Sequence, residues 1–510
     1  MQYASMSREL LRNENFLFLF DNDTPYLDKP PLIFWTTSIF FKLFGASNFT
    51  YRLPSLIFII IAIHSTYKLS YIFYSKRISM FSVLILSSSL TWIVMSGDVK
   101  TDIYMISPMM LGLWQLIKYL KTKLNINLII GSIAIGFSMM GKGPLGLVIP
   151  MFIIFFHLIH KNELNIIFDK VNLIGISFLF LTLLPMSVGL YEQFGFKGMK
   201  FFYWTQSFGR ITGESGWSNN TGPFYLFNVF LYSFLPWTFL FLEAFYQKLK
   251  MFMNFNKKDH KELISLSGFL IPLILLSLSN YKLPHYIYCV MPFASILTAQ
   301  RLEPILFSDK FKIIFFLQVV TISILLILVS FLTVLILPIK KIMLISSIFV
   351  FFGSITISFF LKEKHHRFFI PSIAGTIILS LIINIGILKP ILSYQAESEA
   401  AKYLVSNSYD GSQIILFKQN KGAKSRSFNF YLNTITTYTD DFKILYEKCK
   451  SKKSFIFTNE DGYKQIINNL DKVKLLKVFD HFRISKVNFK FLNYASREDV
   501  VEKKYLIQVG

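Results

Sequence analysis

Apolar residues run almost unbroken through twelve stretches between residues 52 and 388, separated by short polar segments. The runs fall near 52–74, 79–96, 102–120, 125–141, 144–160, 172–191, 223–245, 262–280, 284–302, 312–337, 340–361 and 368–388. Each is about as long as a helix must be to cross the hydrocarbon of a bilayer. The pattern predicts an all-α polytopic membrane bundle of about 12 spans. Upstream, the stretch 32–44 is apolar but is broken by Lys42 and closed by Gly45. It is too short for a crossing and predicts a helix lying in the interface. Past Pro390 the chain turns polar, with strand-like runs at Gln413–Phe417 and Ser454–Thr458 and helix-like runs at Glu397–Val405 and Asp461–Leu470. These predict a small soluble α/β domain. The expected organisation is an outer-face loop with interfacial helices over 1–51, a membrane bundle over 52–390 and a soluble domain over 391–510.

Composition sharpens the class. The chain is 53% hydrophobic, holds 56 Phe and is only 16% charged, against about a quarter charged in soluble proteins. The formal charge of +23 fits cytoplasmic loops and anionic lipid, and no basic stripe with interleaved aromatics points to nucleic acid. Cys289 and Cys449 stand far apart and make no disulfide framework or metal site. Met1 to Asn13 is amphipathic, carries Arg8 and Arg12, and lacks the apolar centre of a signal peptide.

Alternate loops differ in basic charge. One set holds Lys76, Arg77, Lys118, Lys121, Lys123, Lys161, Lys170, Lys248, Lys250, Lys257, Lys258, Lys261, Arg301, Lys310, Lys312, Lys362, Lys364 and Arg367, and is assigned to the cytoplasm. The sparser set is then external, and an even number of crossings places residues past Pro390 outside as well. Five cations that precede a proline by one or two positions fall on that outer side: Lys29, Arg52, Lys142, Lys282 and Lys389. A proline at a helix start fixes the turn and leaves the cation just outside the hydrocarbon, so several could converge on one anion. The longest outer loop, 192–222, is amphipathic and aromatic, with Phe201, Phe202, Tyr203, Trp204 and Arg210.

Within Tyr26-Leu-Asp-Lys-Pro-Pro-Leu-Ile-Phe-Trp35 a carboxylate stands beside an ammonium on irregular backbone at the mouth of an apolar segment. Together with Phe44-Gly45, Arg52-Leu53-Pro54, Thr101-Asp102, Gly141-Lys142-Gly143-Pro144, Arg210, Leu235-Pro236-Trp237 and Lys282-Leu283-Pro284-x-Tyr286, it resembles the bacterial branch of the protein mannosyltransferase superfamily. That branch includes 4-amino-4-deoxy-L-arabinose transferases acting on lipid A. The resemblance implies a GT-C type glycosyltransferase of the inner membrane, with a polyprenyl-phosphate sugar as donor, a lipid, lipopolysaccharide or protein as acceptor, and a periplasmic site. By matching position it implies Lys29, Lys142, Arg210 and Lys282 as phosphate or headgroup contacts and Tyr26 and Tyr286 as hydrogen-bond partners. Asp102 and Asp28 are the carboxylate candidates, with Asp28 better suited to orienting Lys29. His285 reads as structural, and no resident cofactor is expected, a divalent metal remaining open. Related enzymes open with a span and an acidic residue ahead of the Tyr-Ala pair that Tyr3-Ala4 continues, so an upstream start or a truncated gene is expected. The competing readings are a polyprenyl-linked glycan flippase, which would carry ionisable residues mid-span, and an inactive truncated homologue.

Overall fold

The computed structural model describes residues 1–214, 216–219, 221–253, 262–336, 341–409, 413–419, 425–434, 436–451 and 454–509. The chain starts with α1 (Gln2–Arg12), a two-residue hairpin of β1 (Phe20–Asp21) and β2 (Thr24–Pro25), and α2 (Leu32–Phe44). Pro31 sits just ahead of the helical residues of α2, where its missing N–H costs nothing, and Gly45 closes the helix at φ +78°. The short apolar stretch is therefore a helix over the predicted span.

The bundle follows. Its first helices are α3 (Asn48–Phe73), α4 (Lys76–Ser87), α5 (Leu90–Gly97), α6 (Thr101–Thr122), α7 (Asn125–Lys142), α8 (Leu145–Lys161) and α9 (Asn172–Lys200). After the single turn α10 (Gly209–Thr212) come α11 (Tyr225–Ser233), α12 (Thr238–Met253), α13 (Ile264–Ser277) and α14 (Met291–Ile305). α15 (Lys310–Ile336), α16 (Lys341–Phe360), α17 (Lys364–Leu381) and α18 (Lys389–Leu392) complete the helical part. Among the described residues each apolar run is mainly helical. Four helical segments, Asn48–Phe73, Asn172–Thr205, Lys310–Ile336 and Lys364–Leu392, are individually long and apolar enough to cross a membrane.

Three departures have local causes. The run 79–96 breaks at Ser88-Ser89, whose hydroxyls turn back to the carbonyls of Leu84 and Leu86. The run 223–245 breaks over Phe234 to Trp237, and the two breaks bind each other: Leu90 N–H donates to the Leu235 carbonyl (2.8 Å) and the Trp237 indole to Ser88 Oγ (3.1 Å). The expected loop from residue 192 is helical to Lys200, continuing α9 across a kink at Gly195 (φ +63°), and passes into a π-turn over Phe201–Thr205.

α6 lies at the centre, packed on α3, α7 and α8 and buried on nearly every face. It pairs antiparallel with α7 through a short connection at Lys123, in the left-handed region at φ +56°. Gly141 makes the upper end of this pair possible. A Cβ there would run into the Tyr104 carbonyl group of α6, so only glycine lets the two backbones close. The start of α6, the end of α7, the start of α8 and the end of α13 consequently meet at one end of the bundle.

Beyond α18, residues 396–509 carry a five-stranded sheet, in the order β4 (Thr437–Thr439), β3 (Gln413–Phe417), β5 (Ser454–Thr458), β7 (Glu502–Val509), β6 (Val473–His481). β3 runs parallel to β4 and β5, whereas β7 is antiparallel to β5 and β6. α19 (Ala396–Ser406) and α20 (Arg426–Leu432) cover one face; α21 (Phe442–Ser451) and α22 (Glu460–Asn469) cover the other. Both strands expected from the sequence lie at their predicted bounds, while β4, β6 and β7 were not legible there.

This C-terminal part is clasped to the first loop. Arg426 donates twice to Asp21 (2.7 and 3.3 Å), Gln2 donates to the same carboxylate (3.0 Å), and Asn429 donates to Asn22 (2.6 Å). Arg8 reaches the Phe430 carbonyl, and Asn48 pairs with the Tyr431 hydroxyl. The Glu9 carboxylate fixes the turn by accepting from the Asn22 and Asp23 amides (2.9 and 2.6 Å).

Two outcomes are expected. Gly141→Ala must push α7 off α6, costing about 1–3 kcal/mol for an overpacked contact, and thermal unfolding in detergent should show it. Arg426→Ala leaves Asp21 short of a charged donor, worth roughly 1.5 kcal/mol. Amide exchange in residues 20–25 and 426–432 should then speed up about tenfold, and unchanged protection would disprove the clasp.

Candidate functional site

At the end of the bundle where α6 starts and α7 stops, a cavity of about 230 Å³ opens beneath α1. Its polar lining comes from elements far apart in sequence: Lys29 ahead of α2, Lys100 and Asp102 at the start of α6, Lys142 at the end of α7, and His285 and Tyr286 ahead of α14. Its apolar wall includes Leu145, Leu275 and Leu276.

The centre is Asp102, only 2% exposed. Its Oδ1 accepts from the Lys142 ammonium, which also lies 4.2 Å from the centre of the Tyr286 ring. Its Oδ2 is buried with no hydrogen-bond partner among the described residues, and His285 Nε2 stands 3.7 Å away. The sequence dictates this locally. Gly141 brings α7 onto α6, Gly143 turns the chain at φ +86°, and Pro144 starts α8, which leaves Lys142 projecting from a helix end towards a carboxylate in the first turn of its neighbour. A carboxylate in a first helical turn is favoured by the helix dipole.

The other two lysines are held in the same way. Lys29 Nζ sits 3.0 Å from Asp28 Oδ2, and Lys100 Nζ 3.2 Å from Asp98 Oδ2. Gln206, beyond the π-turn, donates to both the backbone carbonyl and the carboxylate of Asp28, and the Tyr26 hydroxyl contacts that carboxylate at 3.4 Å. Burial, reinforced by the Asp28 charge, raises the pKa of both the Tyr26 and Tyr3 phenols. Both therefore stay protonated and available as donors near neutral pH.

Of the residues expected from the sequence, Lys29, Lys142, Asp102 and Tyr286 line one cavity, with Tyr26 and Asp28 supporting Lys29. Lys282 corrects the expectation. Its side chain is turned away, 6% exposed, and donates to the Thr221 carbonyl (3.1 Å), while Asn219 brackets its backbone from both sides (2.6 and 3.0 Å). It pins the outer loop to the α13 end instead of facing an anion. The Arg210 side chain lies outside the described residues. Arg52 and Lys389 are exposed away from the cavity, so only two of the five proline-marked cations meet there. Tyr3, Lys100, Gln206 and Ser207 were not singled out as site residues; no spacing in the sequence links them to Lys142.

The chain resembles known proteins in sequence and in fold. Residues 28–188 match the dolichyl-phosphate-mannose-protein mannosyltransferase family. Curated relatives include an undecaprenyl phosphate-alpha-4-amino-4-deoxy-L-arabinose arabinosyl transferase of Wigglesworthia glossinidia brevipalpis, 29% identical over 61% of this chain and 56% of that protein. A protein of the same name from Photorhabdus laumondii is 24% identical over 58% of this chain and 53% of its own length. The chain thus spans about half the length of the curated relatives it matches. In fold, ArnT from Cupriavidus metallidurans, solved with undecaprenyl phosphate bound, superposes with a TM-score of 0.74 over 99% of this chain and 92% of that one, at 14% identity. Its apo form gives 0.72. Residues 28–188 thus resemble the mannosyltransferase family in sequence, and nearly the whole chain shares the fold of the Cupriavidus protein.

Proposed function

We propose that this protein is a multi-pass inner-membrane glycosyltransferase that moves a sugar from a polyprenyl-phosphate donor to a lipid, lipopolysaccharide or protein acceptor at the periplasmic face. The arabinosyl transferases among its relatives and the undecaprenyl phosphate bound to the Cupriavidus protein support the donor class. The observation that carries the reading is the meeting of Lys29, Lys100 and Lys142 around the buried Asp102 in one cavity at one end of an apolar bundle. The charge bias of the loops supports an outer position for that end, for a chain of about twelve crossings with residues 391–510 on the same side.

In the reaction the donor's phosphate lies against Lys142 and Lys29. The anomeric carbon–oxygen bond breaks, its electron pair goes to the phosphate oxygen, and the lysine ammonium groups stabilise the charge that develops there. The acceptor oxygen bonds to the anomeric carbon and gives its proton to Asp102 Oδ2, the acceptor atom without a partner. Asp28 keeps Lys29 in place and is not the base: Gln206, Tyr26 and Lys29 already use its carboxylate. Tyr26, beside Asp28, and Tyr286, under Lys142, hold these cations, while Tyr3 supplies a hydroxyl donor. These lysines supply the positive charge.

The test is transfer by the purified protein from a panel of polyprenyl-phosphate sugars, with lipid and protein products read by mass spectrometry. Lys142→Ala and Lys29→Ala should each lower turnover about 10²–10³-fold, the scale for losing one stabilising donor at a developing anion. Asp102→Asn should cut kcat about 10²–10⁴-fold with little change in donor KM. Wild-type turnover in both lysine variants would remove the phosphate assignment. Lys282→Ala, by contrast, should act through the outer loop and leave donor KM within a few-fold.

A further inference from the structure

A second concave surface, a groove of about 370 Å³, opens on the side of the bundle. α7 packs on both α8 and α9, and the groove is the space left between those two, floored by the end of α6. Its α8 wall is one face of that helix, Leu147, Met151, Ile154 and Leu158, at the spacing of a helical stripe. Leu116 and Tyr119 on the floor are almost wholly buried, whereas Met151 and Ile176 stand exposed at the rim. The Asn172 amide at one end is turned to the Ile166 and Ile167 carbonyls (2.7 and 3.1 Å), and the surface that remains is overwhelmingly apolar.

Leu116 and Tyr119 stand about 20–25 Å along α6 from Asp102, so this end of the groove is at the far end of the bundle from the lysine cavity. The α8 stripe is about 16 Å long, roughly the hydrocarbon depth of one leaflet. Exposed lysines gather where the groove begins. Lys123 Nζ lies 5.8 Å from the centre of the Tyr119 ring, Lys161 follows Leu158 by one turn on the same face of α8, and Lys170 stands between Ile167 and Asn172, both of which line the groove. Among the described residues none of the three has a carboxylate within 4.0 Å. The two carboxylates of the connection from α8 to α9 are Glu163 and Asp169, and Asp169 accepts from the Val171 amide (3.1 Å) at the start of α9. The lysines of the first cavity are each held by an aspartate; these are left with their charge unmet.

We infer that this groove seats an acyl chain of an anionic glycerophospholipid, whose phosphate is met by Lys123, Lys161 and Lys170. An apolar channel of one leaflet's depth takes a chain, and uncompensated cations at its mouth select the lipid that brings a net negative charge. A zwitterionic lipid offers the same chain without that charge. The cations stand at the end opposite Lys29 and Lys142, so the anion they meet belongs to the other leaflet, the one that the loop charges assign to the cytoplasm. The inference is independent of sugar transfer. It has a mechanical consequence, because a lipid seated there touches α6, α7, α8 and α9 together and braces the lower part of the helix pair whose upper ends hold Lys142 on Asp102.

The probes are phosphatidylglycerol, phosphatidylcholine and undecaprenyl phosphate, each added to the full-length protein in detergent and read by native mass spectrometry and thermal unfolding. Wild-type protein should hold phosphatidylglycerol about tenfold more tightly than phosphatidylcholine and unfold at a higher temperature with it. Replacing the three exposed lysines together, Lys123→Gln, Lys161→Gln and Lys170→Gln, should bring phosphatidylglycerol down to the phosphatidylcholine level with the far-ultraviolet circular dichroism unchanged. Met151→Trp, which fills the groove from its rim, should weaken both phospholipids and leave undecaprenyl phosphate as in the wild type. Lys142→Ala should leave phosphatidylglycerol binding intact. Equal binding of the two phospholipids by the wild type, a phosphatidylglycerol preference that survives the triple variant, or phospholipid binding indifferent to Met151→Trp would overturn the inference. So would loss of undecaprenyl phosphate in Met151→Trp, which would make the groove a polyprenyl-chain site instead.

Discussion

The site depends on one ion pair, Lys142 with Asp102, formed where two helices end side by side. A buried carboxylate is costly unless its charge is met by a well-placed partner, and Asp102 is almost wholly enclosed. The pair exists because Gly141 lets the α7 backbone lie against Tyr104 and Gly143 turns the chain immediately afterwards. A glycine-lysine-glycine-proline segment thus works as a geometric device. It brings a cation to a helix terminus and aims it at the neighbouring helix, with no side chain between the two backbones.

The same economy of charge recurs around the cavity. Each of its three lysines is held by an aspartate, and two of these partners, Asp28 and Asp98, are one and two residues away in sequence. The resting cavity is therefore near neutrality, and its ammonium groups are oriented before any anion arrives. A phosphate bound as proposed would meet preorganised donors, the arrangement in which electrostatic stabilisation is most effective. Only Asp102 departs from this balance, because one of its oxygens is left without a donor.

The first loop joins this chemistry to the distant end of the chain. Asp28 and Lys29 follow directly on the β1–β2 hairpin, whose Asp21 and Asn22 are gripped by Arg426 and Asn429. From the opposite side, Gln206 grips Asp28. Asp28, which holds Lys29, is thus gripped by a residue 178 places away, and the hairpin before it by residues some 400 places away.

Helix positions were legible in the sequence because every apolar run must satisfy its backbone internally once it leaves water. The Lys29 and Lys142 segments could be found for a related reason: proline and glycine leave their mark on a helix end whatever surrounds it. The strands Gln413–Phe417 and Ser454–Thr458 were legible as buried, β-branched and aromatic runs, whereas β6 mixes lysines among its apolar residues and β7 opens on the charged run Glu502-Lys503-Lys504. What the local sequence could not state is where a side chain goes after its helix end is set. Lys282 has the same proline signature as Lys142, yet it turns to the Thr221 carbonyl because Asn219 holds its backbone from across the loop. Gln206 and Lys100 enter the cavity with no signature at all. Local chain chemistry determined the elements and their ends; the packing of α6 on α7 and the folding back of the first and outer loops decided which charges share a space, because that depends on contacts between residues the sequence keeps far apart.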